Sequence, residues 1–560
     1  MEAMASQDKS LAKPSNSGSS FDPKVLKGVK QMNENFLAKT RRTFKERYSE
    51  RKQLKREGSQ SKTTDISATS QDIAVVYADG HPNLPPRGWE KGTKIALGRL
   101  SQFTPGRAWF PHALVIGQTG SGKTTLLRPL IGRWAGPRAV MSTKGDIVPD
   151  AYSAGTPGTI HLVTPDGRSE LDADGKSRLS ALEAAGWTVR DVRWDPAIWA
   201  AQATESKLSQ RASTLADCMS DVVGQDSGNT FWSKASAGFL TSILLLEGAA
   251  IRAKADSWED LWIDASAVNN NGSSQLFARR KKDPGMSRIM SEISATNLGH
   301  LYDRTVNQPF PDLTPTETSA AEDVLQMAHY VKTGNVTTLS SWQTMLVALK
   351  AYKIGDTSGR APLDVGAWGR SANDLLVVVV PSIVQATWTS PMAALALALW
   401  TEASSNATGN HLIVLDEMAS LAPVPNIESW TAQGRGLGVH VVGVLQHEDQ
   451  ATIWSRGNNT AGWIVNTWPL ALVASGTPAI GLATHLATGS GQHDVQKRST
   501  TYKPGQGWFA PQIQEGTTHS TARQDRIESD EVFSDTVRGA WRVVDGGIGP
   551  WATGIQKPKR

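Results

Sequence analysis

Residues 113–124 read Ala113-Leu114-Val115-Ile116-Gly117-Gln118-Thr119-Gly120-Ser121-Gly122-Lys123-Thr124, and the stretch Thr125–Trp134 that follows has helical character. The last eight of these residues satisfy G-x-x-x-x-G-K-[ST], set between an apolar strand and a helix as that pattern requires. The glycines let the backbone curl so that successive N–H groups point inward at phosphate oxygens, and the helix N-terminus adds its positive end. Lys123 is placed to neutralise charge on the β- and γ-phosphates, and the Thr124 hydroxyl to ligate Mg²⁺. A partial match in a chain with 50 glycines would mean little; the whole octet in the right context predicts a nucleotide site. Its residues are Gly117, Gln118, Thr119, Gly120, Ser121, Gly122, Lys123, Thr124 and Thr125, with ATP and Mg²⁺ as the expected cofactors.

Hydrolysis needs a carboxylate in the metal shell and a group that activates water. The segment His411-Leu412-Ile413-Val414-Leu415-Asp416-Glu417 is an apolar run ending in two acids. Asp416 at the strand tip is the expected metal-shell residue, and Glu417 the expected general base. Further on, Gln433-Gly434-Arg435-Gly436-Leu437-Gly438-Val439-His440 leads into a second apolar run that ends at Gln446. A polar residue at the tip of a neighbouring strand is where a γ-phosphate sensor sits, which singles out Gln446. Arg435, between glycines, is free to extend into the site of an adjacent subunit and stabilise transition-state charge there; a surface or intradomain salt bridge is the competing reading. His440 reads as a packed strand residue.

Short apolar runs recur at Ala113–Ile116, Ala139–Met141, Ile160–Val163, Thr188–Val192, Leu375–Val380, Leu412–Leu415 and Val439–Leu445. Several are nearly continuous in Val, Ile and Leu, the pattern of strands covered on both faces of a parallel sheet. Helical stretches lie between them, so the fold class is α/β with a mostly parallel sheet. From about 201 to 351 strand runs give way to helical patterns, among them Leu208–Val223, Phe231–Arg252 and Ala320–Lys332. The expected organisation is an N-terminal arm (1–71), the first part of the nucleotide domain (72–200), an all-α insertion (201–351) and the second part of the nucleotide domain (352–560). Residues 489–526 read as loop-rich, and 530–554 as a source of edge strands. The 20 tryptophans follow no period and read as packing residues.

The arm differs from the rest. Between Phe21 and Lys62 there are 13 Lys and Arg against 5 Asp and Glu, whereas the whole chain carries a formal charge of only +5. Val25, Val29, Met32 and Phe36 recur at helical spacing, giving a basic, weakly amphipathic helix between polar tails. A solvated arm, an arm on nucleic-acid phosphates and an arm on anionic lipid all fit that pattern. The single cysteine, Cys218, allows no intrachain disulfide and fits a reducing compartment. The longest apolar candidate, Ala237–Ile251, carries Glu247 and falls short of a bilayer span, and the N-terminus has no secretory h-region. A cytoplasmic protein is expected, with the arm available for a peripheral contact at the inner face of the cell membrane.

The chain resembles the conjugative coupling proteins of type IV secretion systems (TraG/TraD-like), relatives of the FtsK/HerA DNA pumps. The residues that carry the resemblance are Gly117–Thr124, Lys144-Gly145-Asp146, Phe231-Trp232, Leu415-Asp416-Glu417-Met418-Ala419-Ser420-Leu421, and Gly434-Arg435-Gly436-Leu437-Gly438 with Gln446. The resemblance implies a RecA-like P-loop domain, a ring-shaped homo-hexamer and an all-α domain at the cytoplasmic mouth. It also implies an arginine finger at Arg435 and a sensor at Gln446. Its implied work is ATP-driven DNA translocation, coupling a relaxase–DNA complex to the secretion channel. Family members usually begin with transmembrane helices that this sequence does not show, so the resemblance carries no membrane anchoring to this chain unless a partner supplies it. They also tend to have Asp where Ser142 precedes the Lys-Gly-Asp motif, so neither a structural nor a metal-shell role is carried to that position. A FtsK/HerA-like pump outside conjugation and an ATP-switched adaptor for a protein substrate are the rival functions. No LSGGQ-like signature precedes Asp416, which disfavours an ABC-type subunit.

Overall fold

A computed structural model describes residues 112–151, 154–227, 230–262, 283–305, 313–354, 359–406, 410–455, 459–474, 477 and 479–489, together with strands at 75–77, 94–96, 492–503, 514–525, 540–545 and 548–554. The basic helix of the arm lies outside the described residues. Two short strands, β1 (Val75–Tyr77) and β2 (Lys94–Ala96), pair antiparallel.

The main sheet is built from β3 (Ala113–Ile116), β4 (Arg138–Ser142), β5 (Thr159–Val163), β6 (Thr188–Arg193), β7 (Ala361–Pro362), β8 (Leu375–Val379), β9 (His411–Leu415), β10 (Val439–Leu445) and β11 (Leu470–Ala474). Their order is β11-β3-β10-β9-β4-β8-β5-β6-β7, every neighbouring pair parallel. Parallel neighbours need crossovers, and the crossover helices cover both faces, so the strands read as unbroken apolar runs. Ala113 and Val115 turn to one face, where Leu126, Leu127, Leu130 and Ile131 of the Lys123–Arg133 helix and Leu179 and Leu182 of the Ala173–Ala184 helix pack. Leu114 and Ile116 turn to the other, against Leu395 and Leu399 of the Gln385–Ser405 helix and the helices that follow β6.

Between β6 and β7 the described residues form helices only, the longest being Glu205–Ser227, Thr230–Ala253 and Pro315–Thr333. Leu215, Leu240, Leu244 and Val324 belong to the same continuous apolar core as one face of the sheet, so this segment is rooted in the nucleotide domain. A buried ion pair fastens it internally. Glu247 (0% exposed) accepts from Arg288 (2% exposed), the Trp258 indole at 2.8 Å and the Gly285 N–H at 2.6 Å. Phe231–Ala253 is longer than the expected apolar run and passes a length and composition test for a membrane span, but 67% of its apolar window is buried inside the protein. The helix outruns Ala237–Ile251 because Phe231 to Ser236 add turns of mixed polarity that the apolar run did not include.

Two other sequence expectations change. Residues 489–526 are not mainly loop: β12 (Gln492–Lys503) and β13 (Gln514–Asp525) pair antiparallel over their whole length. Both sets of alternate residues are mostly polar there, so no period-2 pattern announces a strand. β11 was also not foreseen, because Leu-Ala-Leu-Val-Ala suits a helix as well as a strand. The expected edge strands from 530–554 are present as β14 (Ala540–Asp545) and β15 (Ile548–Gly554), continuing the sheet antiparallel beyond β11.

Candidate nucleotide site

All strands of the parallel sheet deliver their C-terminal ends to one edge, and the predicted site residues follow from that. β3 ends at Ile116, and the Gly117 N–H donates to the Leu445 carbonyl at 3.0 Å, extending the pairing with β10 by one step. A side chain at Gly117 would meet the Ala474 Cβ at 2.8 Å, so only glycine fits between the P-loop and β11. Gly120 and Gly122 have φ of 84° and 94°, the left-handed region where a Cβ is strained. Space around both is open; the backbone turn, rather than crowding, demands glycine there. Gly122 caps the Lys123–Arg133 helix, and no acidic residue in the first turn offsets the helix's positive end.

Lys123 folds back over the loop, donating through Nζ to the carbonyls of Gly117 and Gln118, the latter at 3.0 Å. Burial lowers its pKa, while the negative charges of Asp416 and Glu417 pull it back up. The acid pair and the lysine are therefore electrostatic neighbours. Their proximity comes from strand order. β10 lies between β3 and β9, so Gln446 at the tip of β10 stands between the P-loop and the acids.

The Asp416 N–H donates to the Met141 carbonyl at 2.9 Å, prolonging the β9–β4 ladder. Ser142, the next residue of β4 and 1% exposed, donates its hydroxyl to Asp416 Oδ2 at 2.7 Å. Burial raises the Asp416 carboxyl above the usual range, against the downward pull of the Ser142 hydroxyl; the Glu417 charge adds to the rise and Lys123 opposes it. Glu417 has φ 53° and ψ 42°, one of three non-glycine residues at positive φ among the described residues. A left-handed non-glycine costs about 1–3 kcal/mol and persists only where the surroundings impose it. Here the twist turns the strand into the Met418–Leu421 helix and puts Glu417 Oε1 3.0 Å from the Gln446 side-chain amide, which donates to it. The Gln446 N–H is in turn held by Gln450 Oε1 at 2.7 Å.

The Lys144-Gly145-Asp146 motif follows β4 as a short turn. A Cβ on Gly145 would stand 3.0 Å from the Gly175 Cα, so the glycine serves close packing against the Ala173–Ala184 helix. Lys144 and Asp146 contribute charge to the site, the first acting on Lys123 and the second on Asp416. Arg435 is not brought to this site. It lies in the Gly434–Leu437 turn before β10, whereas Gln446 follows the other end of that strand. Seven residues at about 3.3 Å each put roughly 20 Å between the two ends. His440 is buried and packs edge-on against Trp134, as expected of a strand residue.

Gln450 is not singled out by the sequence, Ser142 is given no role by it, and Ser420 enters there only as part of the Leu415–Leu421 motif. Ser420 accepts from the Gln385 side chain at 2.8 Å and its hydroxyl donates to the Glu417 carbonyl at 3.3 Å. Two signals for Ser142 were available: it ends an apolar run, as Asp416 does, and it directly precedes the stretch that holds Lys144-Gly145-Asp146. The donor set suits magnesium: a hydroxyl at Thr124 and one carboxylate at Asp416 are hard oxygen ligands, and a cation that keeps waters and phosphates needs few from protein. Among the described residues there is no cluster of three His, Cys, Asp or Glu that would suit a metal caged by protein alone.

Residues 410–534 match the family described as the TraM recognition site of TraD and TraG, a span that holds Asp416, Glu417, Arg435 and Gln446. The resemblance to TraG/TraD-type proteins read from the motifs is borne out there. No curated protein matches the sequence. Among solved structures, the unbound monoclinic form of the bacterial conjugative coupling protein TrwBdeltaN70 is 14% identical, with a TM-score of 0.49 over 80% of this chain and 85% of that one. The plasmid coupling protein TrwB in complex with the GTP analogue GDPNP is 13% identical, with a TM-score of 0.49 over 86% and 97%. VirB4 of Thermoanaerobacter pseudethanolicus is 11% identical, with a TM-score of 0.35 over 83% and 94%.

Proposed function

We propose that this chain is an ATP-hydrolysing, DNA-translocating motor of the conjugative coupling type, delivering a relaxase–DNA complex to a type IV secretion channel. One observation carries the reading: Lys123 of the P-loop, Asp416, Glu417 and Gln446 converge at one edge of a parallel sheet, coupled by charge and by the 3.0 Å Gln446–Glu417 hydrogen bond. Backbone amides of Gly117 to Thr125 bind the triphosphate, and Lys123 leaves its carbonyl partners for the phosphate oxygens. Thr124 and Asp416 would hold Mg²⁺, which supplies charge neutralisation on the β- and γ-phosphates when bound. Glu417 takes the proton of the attacking water, and Gln446 orients Glu417 and senses the γ-phosphate. Arg435, too far from its own site, acts on a neighbour's in a homo-hexamer, which makes hydrolysis depend on assembly. The all-α segment 201–351 forms the module at the channel mouth.

The family match over 410–534 supports docking to a relaxosome protein of the TraM kind. The basic arm supports contact with DNA or with an anionic membrane surface. The test is phosphate release with and without single- and double-stranded DNA, beside Glu417→Gln. A motor is stimulated by DNA and is silenced by Glu417→Gln while still binding ATP. Indifference to DNA, with Glu417→Gln silent, points instead to an ATP-switched protein adaptor.

A further inference from the structure

Ser142 stands where register makes it matter. In the parallel β4–β9 ladder Met141 is opposite Leu415, so the next pair is Ser142 and Asp416. Parallel register puts the two side chains on the same face of the sheet, and the strand ends there. The Ser142 oxygen also accepts the Lys144 N–H at 3.3 Å. That donor occupies a lone pair of the hydroxyl, and a hydroxyl has only one proton. The proton is thus committed to Asp416 Oδ2, at 2.7 Å, the length of a charge-assisted O–H···O⁻ bond. Asp416 Oδ1 takes no hydrogen bond among the described residues.

We propose that Ser142 is the positioning residue of the metal site: its hydroxyl pins one Asp416 oxygen and leaves the other for the cation. The inference rests on the nucleotide-site reading above and assigns a residue that the motifs do not contain. The physical reason is that a carboxylate at a strand tip has a free torsion, and its two oxygens are equivalent until something holds one. A hydroxyl in the ladder position holds it without adding charge. Partners that orient a ligating carboxylate typically contribute a factor of about 10–100 in metal affinity.

The experiment uses the full-length protein with saturating ADP and Mn²⁺ as the probe, followed by electron paramagnetic resonance, and metal-free ADP binding measured separately in EDTA. Ser142→Ala should weaken Mn²⁺ binding about 10- to 100-fold while metal-free ADP affinity stays at the parent value. Ser142→Thr, which keeps the hydroxyl, should restore Mn²⁺ binding. Unchanged Mn²⁺ affinity in Ser142→Ala, or no rescue by threonine, overturns the proposal. Asp416→Asn separates the levels. If it weakens Mn²⁺ binding and Ser142→Ala does not, only the Ser142 role fails. If Asp416→Asn also binds like the parent, the metal-site reading fails with it.

Discussion

Replacing Gln446 with leucine keeps the volume of the side chain near constant and removes its amide. What is lost is the bond from Gln446 Nε2 to Glu417 Oε1, 3.0 Å long and made to a charged acceptor. Hydrogen bonds to charged groups contribute about 1.5–3 kcal/mol. The site edge is only partly buried, so the lower end applies, and about 1.4 kcal/mol corresponds to a factor of about ten in rate. The Gln446 main-chain bond to Gln450 and the P-loop are untouched, so nucleotide affinity should hold. Steady-state phosphate release at saturating ATP should therefore show kcat reduced by about tenfold or somewhat more, while fluorescent-nucleotide titration gives the parent's Kd. A kcat equal to or above the parent's would refute the idea that this bond aims Glu417 at its water.

Lys123→Ala removes the one side-chain cation of the phosphate cradle, and phosphate release should fall to background; turnover at the parent's rate would place the active site elsewhere. Arg435→Ala mixed with Glu417→Gln subunits should recover part of the hydrolysis lost in each alone, because each supplies what the other's interface lacks; a strictly additive loss across mixing ratios argues against action in trans. Arg288→Ala leaves the Glu247 carboxylate buried with only the Trp258 and Gly285 donors, a change that typically costs about 3–5 kcal/mol. Urea unfolding followed by tryptophan fluorescence should show an earlier transition, and an unshifted midpoint would mean that Glu247 finds another partner. Asp195, pushed up to about 6 by burial, is protonated in the folded chain where the unfolded chain is ionised. Its contribution is present below about pH 4 and lost as pH rises through about 6, so the stability of the parent relative to Asp195→Asn should fall across that window. A difference independent of pH would show that Asp195 does not titrate there.

Legibility in the sequence followed locality. The P-loop is a contiguous octet whose backbone requirements are written in its glycines, and the strands β3, β8, β9 and β10 are apolar runs that water forbids from lying on a surface. β11 and the β12–β13 pair were not legible because their composition is neutral or polar on both faces, and pairing across the chain made them strands. Glu417 could be named from its place after an apolar run. Its left-handed backbone and its bond to Gln446 could not, since both depend on how the strand tip meets its neighbours.

The sequence by itself determined that a P-loop, an acid pair at the end of one apolar run and a glutamine at the end of another sit on an α/β scaffold, because each is carried by a short segment with its own stereochemical demands. Only the tertiary structure decided which of them meet. Strand order, set by non-local crossovers that no periodicity records, puts β10 between β3 and β9. It thereby places Gln446 beside Glu417 and sets Ser142 against Asp416.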